Sequence, residues 1–277
     1  MFLIKKKRVL NPSVTLMVLD APKIAEKAKA GQFVMLRVDE QGERIPLTIA
    51  DIEPQTGELT IIFQVAGNTT RLLNSYEAGQ RIMDITGPLG NPTDYGNAKR
   101  ICVIGGGVGC AIAYPHAKTL HRAGADVTVI AGFRSKDLVI LEEEMKAVSS
   151  RAIITTDDGS NGEKGFVTDK LRGLCQGGEK FDLVIAIGPL PMMKFVSKLT
   201  EELGIPTIVS LNPIMIDGTG MCGGCRVTVG GKIKFACVDG PDFDGHQVDY
   251  DELMKRNNGF RREEQAHTCR LGGHSHE

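Results

Sequence analysis

The chain has 277 residues, of which 42% are hydrophobic and 24% charged, an ordinary composition for a globular protein. Its formal net charge of −1 gives no indication of nucleic acid or an anionic membrane as a partner. No apolar run reaches the roughly 18 residues of a membrane span, and the amino terminus places its apolar residues before its basic run, the reverse of a signal peptide. We therefore expect a cytoplasmic enzyme of two or three modules.

The first region, residues 1–97, has the pattern of β-strands. Short apolar segments are separated by Gly, Pro, Asn and Asp clusters at fairly even spacing, which is typical of an antiparallel barrel or sandwich. One short helix is predicted to begin near Asn68 and to run through TRLLNSYEAG. The predicted strands are MFLIKKKRVL, SVTLMVL, GQFVMLRV, IPLTIADI, GELTIIFQVA and RIMDITG.

The second region, residues 98–210, alternates predicted strands with predicted helices. Such alternation indicates a parallel, doubly wound α/β sheet. The predicted strands are KRICVIGG, ADVTVIAGF, RAIITTDD, FDLVIAIG and IPTIVSL, and the helices are CAIAYPHAKTLHRAGA, LVILEEEMKAVS, KGFVTDKLRGLC and PMMKFVSKLTEELG. The third region, residues 211–277, holds a group of cysteines and ends in a charged tail.

A glycine-rich turn, GGGVGC at 105–110, lies between a predicted strand and a predicted helix. Glycine lets the backbone approach a pyrophosphate closely, and a helix amino terminus supplies N–H donors and a positive dipole. The spacing differs from the G-x-G-x-x-G fingerprint of Rossmann domains. A tight turn without a ligand is the alternative interpretation.

The seven cysteines do not suggest a disulfide framework, because the number is odd and a cytosolic chain is expected. Cys102 lies in an apolar strand and Cys110 follows the glycine turn, so both are interpreted as small core residues.

Three further cysteines form a spaced group in the third region. With the aspartate five residues upstream, the pattern is D-x₄-C-x₂-C-x₁₁-C, formed by Asp217, Cys222, Cys225 and Cys237. Plant-type ferredoxins use C-x₄-C-x₂-C with a distant fourth cysteine, so the spacing favours a [2Fe–2S] cluster. Zinc accepts the same donor types and is an alternative, as are cysteines that bind no metal. For the fourth ligand, Thr219, a solvent molecule or a partner residue is the alternative to Asp217.

The whole chain resembles the ferredoxin reductase superfamily. More narrowly it resembles the electron-transfer subunit of dihydroorotate dehydrogenase, and most closely the small-subunit family of NADH-dependent reduced ferredoxin:NADP oxidoreductase, also described as sulfide dehydrogenase subunits. The resemblance covers nearly the full length. It is carried by IPLTIA, VAGNTTRLL, ITGPLGNP, GGGVGCAIAYP, TTDDGSNGEKGFVTD, IGPLPMM and SLNPIMIDGTGMCGGCRVTVGG.

The resemblance implies an FAD site on the first region. IPLTIA aligns with the flavin motif Arg-x-Tyr-Ser/Thr of the superfamily, but Ile45 stands at the arginine position and Arg44 is one residue early. Leu47 replaces the tyrosine. For Arg44, a solvated charge at a strand end is the alternative. The residues expected to bind FAD are Arg44, Pro46, Leu47, Thr48, Gly67, Asn68, Thr69 and Thr70.

The resemblance also implies a nicotinamide nucleotide site on the second region. Ile187 replaces the cysteine of the family's Cys-Gly-Pro motif. The residues leave NADH and NADPH undecided, because Arg134, Ser135 and Lys136 could bind a 2′-phosphate, and the preference for NADH comes from the resemblance alone. The residues expected to bind the nucleotide are Gly106, Gly107, Val108, Gly109, Asp157, Asp158, Gly188 and Pro189.

These sites together predict a subunit that moves electrons between NAD(H), FAD and a [2Fe–2S] cluster to a larger flavin- or iron–sulfur-containing partner. Ferredoxin is expected to react through that partner. The same series of redox cofactors would serve a dihydroorotate or sulfide dehydrogenase, although dihydroorotate subunits have cysteine at the position of Asp217. A zinc-stabilised nucleotide-binding protein without redox activity is the more distant alternative. The tail residues His267, Cys269, His274 and His276 could bind a second metal or lie against a partner.

Overall fold

The computed structural model describes residues 1–259, and the tail histidines and Cys269 lie outside this range. The first part is a seven-stranded, barrel-like antiparallel sheet in the order β6-β1-β2-β5-β4-β3-β7. Its core is the expected set of alternating apolar side chains, among them Ile4, Leu36 and Ile61. The elements are β1 Phe2–Asn11, β2 Val14–Asp20, α1 Pro22–Ala25, β3 Phe33–Arg37, β4 Arg44–Glu53, β5 Glu58–Gln64, α2 Asn68–Ser75, β6 Arg81–Ile82 and β7 Asp84–Leu89.

Two details of this sheet depart from simple strand pairing. Strand β4 changes its neighbour halfway, because residues 44–48 pair with β3 whereas residues from Ile49 onward pair with β5. The segment RIMDITG, predicted as one strand, is two strands that meet at Met83. Strand β6 pairs with β1 and β7 pairs with β3, so the partner strand changes at Met83.

The second part is the predicted doubly wound α/β domain. Its strands β8 to β12 are parallel, in the order β10-β9-β8-β11-β12. The apolar strands fill both faces of the sheet, as parallel sheets require. The elements are β8 Arg100–Gly106, α3 Gly109–Arg122, β9 Asp126–Phe133, α4 Glu142–Ala147, β10 Arg151–Thr156, α5 Val167–Gln176, β11 Leu183–Ile187, α6 Leu190–Glu202 and β12 Thr207–Ser210.

The helix predicted over LVILEEEMKAVS is shorter than expected. Leu141 has a left-handed φ of 56°, and helix α4 begins only at Glu142. The preceding apolar residues Ile140 and Leu141 are buried. The amide of Asn11, in the barrel, donates to the carbonyl of Leu138 at 3.0 Å. Packing against the barrel therefore replaces the first turns of the predicted helix.

The third part contains elements that the sequence did not reveal. They are β13 Arg226–Val229, β14 Lys232–Phe235, α7 Ala236–Asp239, β15 Asp242–Asp244 and α8 Tyr250–Asn257. Strands β13 and β14 form a hairpin, while β15 adds an antiparallel edge strand to the α/β sheet beside β12. The third region is thus tied to the second by backbone pairing, and its predicted limits, 211–277, remain an interpretation.

The α/β sheet has a different neighbour on each face. The barrel side chains Val14 and Ile62 share a core with helix α3. Helices α5 and α6 cover the opposite face, where Val227 of the hairpin and Leu253 of α8 join them. Within residues 1–259, no helix has the length and apolar character needed to cross a bilayer.

Candidate functional site

A cavity of about 820 Å³ runs along the carboxyl edge of the α/β sheet, where ligands bind in open parallel sheets. Its volume lies in the range of small-molecule sites. Seven of the eight residues predicted to bind the nucleotide line it, namely Gly106, Gly107, Val108, Gly109, Asp157, Gly188 and Pro189.

The glycine turn contains one position that is open to a ligand and others that are tightly packed. Gly107 has a left-handed φ of 56°, and a β-carbon there would meet nothing within 4 Å. A β-carbon on Gly109 would instead lie 2.4 Å from the carbonyl oxygen of Ile187, and one on Gly106 would lie 2.4 Å from the sulfur of Met192. Gly107 therefore leaves space for a ligand, whereas Gly106 and Gly109 let strands and helices approach each other. The 14-residue helix α3 begins at Gly109 and directs its amino terminus to the same place.

The two neighbouring aspartates of the TTDDG stretch have different surroundings. Asp157 lines the cavity together with Arg134, at the ends of the adjacent strands β10 and β9. Asp158 is not among the lining residues. Its carboxylate accepts hydrogen bonds from the hydroxyl of Ser160 at 2.7 Å and from its N–H at 2.9 Å, which lower the pKa of Asp158. Asp158 therefore shapes the loop next to the cavity.

The cavity also has walls that the sequence did not indicate. Asn11 and Ser13 of the β1–β2 turn line it from the barrel. Phe166, just before α5, and Phe195 of α6 line it from the α/β domain. The contribution of Asn11 and Ser13 depends on how the two domains pack, so no local sequence pattern indicates it. Phe195 could have been identified from helical periodicity, because it falls outside the buried face of α6 that includes Met193 and Val196.

The predicted flavin strand lies in the first half of β4. Phe33 pairs with Thr48, Val34 with Leu47 and Met35 with Pro46, all on the side facing β3. On the other side, the pairing of β4 with β5 begins only at Ile49. The backbone of residues 44–48 is therefore open towards β5 and the helix that follows it.

Arg44 stands at the exposed start of this strand. Its guanidinium donates to the carboxylate of Asp84 at 2.9 Å, and both side chains are partly exposed. The structure thus gives Arg44 a partner on strand β7, on the far side of β3, while its predicted contact with FAD remains a prediction.

The second predicted flavin segment forms the start of helix α2. The hydroxyl of Thr70 accepts from the N–H groups of Ala66 and Gly67 at 3.0 Å and donates to the carbonyl of Gly67. This local network fixes the turn into the helix. Asn68 and Thr69 occupy its exposed first turn, where N–H groups point outward and the helix dipole favours an anion.

Two of the three clustered cysteines are already together. The Cys225 thiol donates to the sulfur of Cys237 at 3.2 Å, and both residues are buried. Burial and the adjacent Cys225 raise the pKa of Cys237 to about 12, so the Cys237 thiol keeps its proton unless a cation replaces it. The N–H of Cys237 also donates to the Cys225 sulfur at 3.5 Å.

The other two predicted ligands lie on the preceding glycine-rich loop. Cys222 is exposed, and its sulfur accepts from the N–H of Gly224 at 3.4 Å. Asp217 accepts from the N–H groups of Thr219 and Cys222, each at 2.8 Å, and these bonds lower its pKa. Among residues 1–259, no three cysteine, histidine or carboxylate side chains stand in a coordinating arrangement. Asp217 and Cys222 are therefore not brought to the Cys225–Cys237 pair.

The donor set nevertheless fits an iron–sulfur cluster. Thiolates are the ligands of such clusters, and N–H groups directed at sulfur, as at Cys222 and Cys225, adjust their potentials. Cys225 and Cys237 share a buried cluster with Phe33 and Met35 of β3. Those two residues are the strand partners of Thr48 and Pro46, so the cluster that holds the cysteine pair includes residues of the strand next to the predicted flavin strand.

Comparison with protein families supports the two carboxyl-terminal parts of this picture. Residues 103–198 match the model of the oxidoreductase NAD-binding domain. Residues 212–249 match the iron–sulfur cluster binding domain of dihydroorotate dehydrogenase B, and this range includes Asp217 and all three clustered cysteines.

Curated relatives extend over nearly the whole chain. A Thermotoga maritima homologue of the dihydroorotate dehydrogenase B (NAD⁺) electron-transfer subunit is 49% identical over 246 residues, covering 89% of this chain and 86% of the relative. The electron-transfer subunit of Streptococcus mutans is 34% identical and covers 87% of this chain and 95% of its own. An uncharacterised protein of Clostridium beijerinckii is 49% identical over 272 residues.

Solved structures give the same result. A chain from the structure of NADH-dependent reduced ferredoxin–NADP oxidoreductase is 45% identical, with a TM-score of 0.92 and 98% of both chains covered. A ferredoxin reductase of carbazole 1,9a-dioxygenase, at 21% identity and a TM-score of 0.62, shares the fold. The predicted ferredoxin-reductase fold, the electron-transfer function and the NAD and iron–sulfur cofactors are thereby confirmed, and the flavin agrees with this fold. The chain belongs to the family of dihydroorotate dehydrogenase B electron-transfer subunits and is an oxidoreductase subunit that combines a barrel, an NAD-binding domain and an iron–sulfur domain.

Proposed function

We propose that this chain takes hydride from NADH and delivers single electrons to a larger partner subunit, as part of an NADH-dependent reduced ferredoxin–NADP oxidoreductase. The observation that carries the proposal is the cavity of about 820 Å³ at the glycine turn, which a dinucleotide can fill. The similarity over 98% of a chain from that enzyme supports the assignment to this complex.

In this proposal the glycine turn and helix α3 hold the pyrophosphate of the nucleotide. Gly107 provides the open approach, and Gly188 and Pro189 border the cavity beside the glycine turn, at the end of β11. No side chain has to act as acid or base, because hydride transfer depends on alignment of the two cofactors. Ile187, in place of a cysteine, is compatible with this role because it serves only as a wall.

FAD would be held by the open edge of β4 and the start of α2. Pro46, Leu47 and Thr48 would border the flavin ring, and the helix start at Gly67, Asn68, Thr69 and Thr70 would hold the diphosphate. When bound, FAD would take up the two electrons of one hydride and release them one at a time, as a [2Fe–2S] cluster requires.

The cluster would be held by Asp217, Cys222, Cys225 and Cys237. Cys225 and Cys237 offer a prearranged pair, and the glycine-rich loop has to bring Cys222 and Asp217 to it. The position of the pair against β3 supports a short electron path from the flavin strand to this site.

A larger partner would dock on the surface around this loop. Ile216 is 61% exposed and Met221 is 89% exposed. Ile214 nearby in sequence, Ile233 on the adjoining hairpin and Val238 on α7 are also exposed. Exposed apolar residues that gather beside a redox site mark an interface. We expect Met221→Glu to prevent copurification of the larger flavin- or iron–sulfur-containing subunit, whereas Val9→Glu, at an exposed barrel residue, should not. Ferredoxin would react through that subunit. Retention of the partner by Met221→Glu would contradict this surface.

The second candidate function is electron transfer for dihydroorotate oxidation. It is favoured by the matching iron–sulfur domain and by the Streptococcus mutans relative. Asp217 stands against it, since the resemblance gives those subunits a cysteine at this position. Identification of the copurifying large subunit decides between the two. We place either activity in the cytoplasm, in keeping with the free thiols of Cys102, Cys110, Cys175, Cys222, Cys225 and Cys237.

The test uses the full chain purified without oxygen and loaded with FAD, iron and sulfide. We expect flavin and iron–sulfur absorbance, and bleaching of the flavin on addition of NADH. A colourless protein that retains zinc would contradict the redox assignment. Flavin absorbance that no nicotinamide nucleotide bleaches would contradict the assigned hydride donor.

A further inference from the structure

An ion pair joins strand β4 of the barrel to helix α3 of the α/β domain. The ammonium of Lys118 on α3 donates to both carboxylate oxygens of Asp51 on β4, each at 2.5 Å. The two side chains are only 16% and 31% exposed. A pair that is partly shielded from water is screened by salt less than an exposed one, so it can hold the two domains in one relative orientation.

Each partner of this pair is oriented by its own element. The Asp51 carboxylate also accepts from the N–H of Ile52 at 2.9 Å. The Lys118 ammonium lies 5.8 Å from the centre of the Tyr114 ring, one turn earlier on α3. The geometry of the ion pair is therefore fixed from both sides of the domain boundary.

The pairing of β4 with β5 is interrupted directly before Asp51. Ile49 pairs with Ile61 and Asp51 pairs with Thr60, so Ala50 is an extra residue on β4. An extra residue of this kind bends the strand and redirects its side chains, and such bulges are frequent next to active sites. The strand thus changes direction between its predicted flavin contacts and the ion pair.

The bulge lies against the same helix. Ala50 is 2% exposed and belongs to the same buried core as Ala113 and Ala117 of α3. Apolar packing and the ion pair therefore join the barrel to α3 at adjacent residues of β4.

The ion pair lies close to both proposed cofactor sites. Asp51 is three residues after Thr48, which corresponds to about 10 Å along the strand. Lys118 is nine residues after Gly109, which corresponds to about 14 Å along α3. One end of the pair is thus carried by the strand proposed to border the flavin ring, and the other by the helix proposed to hold the pyrophosphate.

We propose that Asp51 and Lys118 are positioning residues that set the distance between the flavin and the nicotinamide ring. This inference rests on the proposed hydride-transfer function and deepens it. Neither residue lines the nucleotide cavity, so the pair acts through the elements that carry it. Hydride transfer needs the reacting atoms about 3–3.5 Å apart, and a displacement of about 1 Å can cost on the order of a hundredfold in rate. The pair therefore controls the rate of flavin reduction and leaves the affinity for each cofactor unaffected.

The test separates rate from affinity in the full chain with its cofactors. Lys118→Met removes the charge and keeps most of the apolar stem, and Asp51→Ala removes the carboxylate. We expect each variant to bleach its flavin about tenfold more slowly at saturating NADH in a single anaerobic turnover. FAD content, reduction of the flavin by dithionite, and calorimetric affinity for ADP-ribose, which lacks the nicotinamide ring, should equal those of the parent.

A double variant and a conservative variant show whether the two residues act as a pair. The double variant Asp51→Ala/Lys118→Met should also be about tenfold slower than the parent, because the second change removes nothing further, whereas independent effects would multiply to about a hundredfold. Lys118→Arg retains a cation that can bind a carboxylate and should restore most of the parent's rate.

The control is a second ion pair across the same domain boundary. Arg8 of β1 donates to Glu144 of α4 at 2.6 Å, and neither residue lines the nucleotide cavity. Arg8→Met should leave the rate of flavin reduction unchanged. Slowing by Arg8→Met equal to that by Lys118→Met would overturn the assignment to this pair.

The remaining outcomes distinguish this inference from the function on which it rests. Parent-like rates in both single variants would overturn the positioning role and leave the proposed function standing. Slow reduction that is accompanied by an equal loss of ADP-ribose affinity would also overturn it, because the pair would then act on binding. Failure of NADH to bleach the parent's flavin would overturn both.

Discussion

The nucleotide cavity and the cysteine loop differ in how far the polypeptide alone builds them. The cavity consists of strand ends, a glycine turn and a helix start, and seven predicted residues already line it. At the cysteine loop only Cys225 and Cys237 are together, while Cys222 and Asp217 make other hydrogen bonds. A site made of backbone is formed by folding itself. A site made of side-chain donors on a glycine-rich loop is completed by its ligand, because metal binding and local folding are coupled.

Removal of a cysteine from the preformed pair should have the largest effect and should leave the cavity intact. We expect Cys225→Ser to lose nearly all of the cluster, because a hydroxyl replaces a buried thiol that contacts Cys237. Iron content and electron paramagnetic resonance of the reduced protein would measure the loss. FAD content and ADP-ribose affinity should stay within about twofold of the parent.

Loss of nucleotide binding in Cys225→Ser would contradict the independence of the cysteine loop and the nucleotide cavity. If Cys225→Ser also lost the nucleotide, the loop and the cavity would form one cooperative unit. Cys175→Ser is the matched control, since this partly exposed cysteine lies on α5 outside the predicted ligand set.

The cavity itself should be most sensitive at Gly107. A valine there would adopt an unfavourable left-handed backbone and project into the space proposed for the pyrophosphate. We expect Gly107→Val to weaken NADH binding at least tenfold, measured by titration of flavin reduction, with FAD and iron content unchanged.

Gly124 separates the two causes of this effect. It also has a positive φ and open space around a β-carbon, but it lies after α3 and away from the cavity. Gly124→Val should therefore lower thermal stability to a similar extent without changing NADH affinity. Equal NADH affinity in the Gly107 and Gly124 variants would show that the glycine turn does not hold the nucleotide.

The sequence predicted the nucleotide cavity better than the cysteine-bearing third region, because the cavity is built from segments that are adjacent in sequence. Strand, glycine turn and helix are contiguous in sequence, so local pattern determines their arrangement. Strand β15, of three residues, and the β13–β14 hairpin gave no such pattern, because their pairing depends on distant segments. The same holds for the long helix predicted around Leu138, which contact with the barrel shortens. The shared cluster of β3 side chains and cysteines likewise depends on distant segments and was not predicted.

Asp217 should have an intermediate effect, since the structure gives it a clear local role besides that of ligand. Its carboxylate caps the N–H groups of Thr219 and Cys222. If Asp217 also binds iron, Asp217→Cys should retain a [2Fe–2S] centre with a changed spectrum and reduction potential, because thiolate donates more electron density than carboxylate. Asp217→Ala should make the cluster labile.

Asp217→Asn distinguishes the two roles, because an amide keeps one acceptor oxygen for the loop but is a poor ligand for iron. Resonance g-values and potential equal to those of the parent in all three Asp217 variants would exclude Asp217 as a ligand. The loop would then take its fourth donor from elsewhere.

Arg44 should give the smallest effect and tests how far the flavin site depends on side chains. Its guanidinium is paired with Asp84 at 2.9 Å at a partly exposed strand end, and such exposed pairs contribute about 1 kcal/mol or less to stability. The backbone edge of β4 and the start of α2 offer the other flavin contacts independently of it. We therefore expect Arg44→Ala to reduce FAD affinity less than about fivefold, as measured by flavin fluorescence on dilution.

Asp84→Ala breaks the same ion pair and leaves the guanidinium free. Stronger FAD binding in Asp84→Ala together with loss of FAD in Arg44→Ala would show that Arg44 exchanges Asp84 for the flavin diphosphate, and the flavin site would then resemble the cysteine loop in being completed by its ligand.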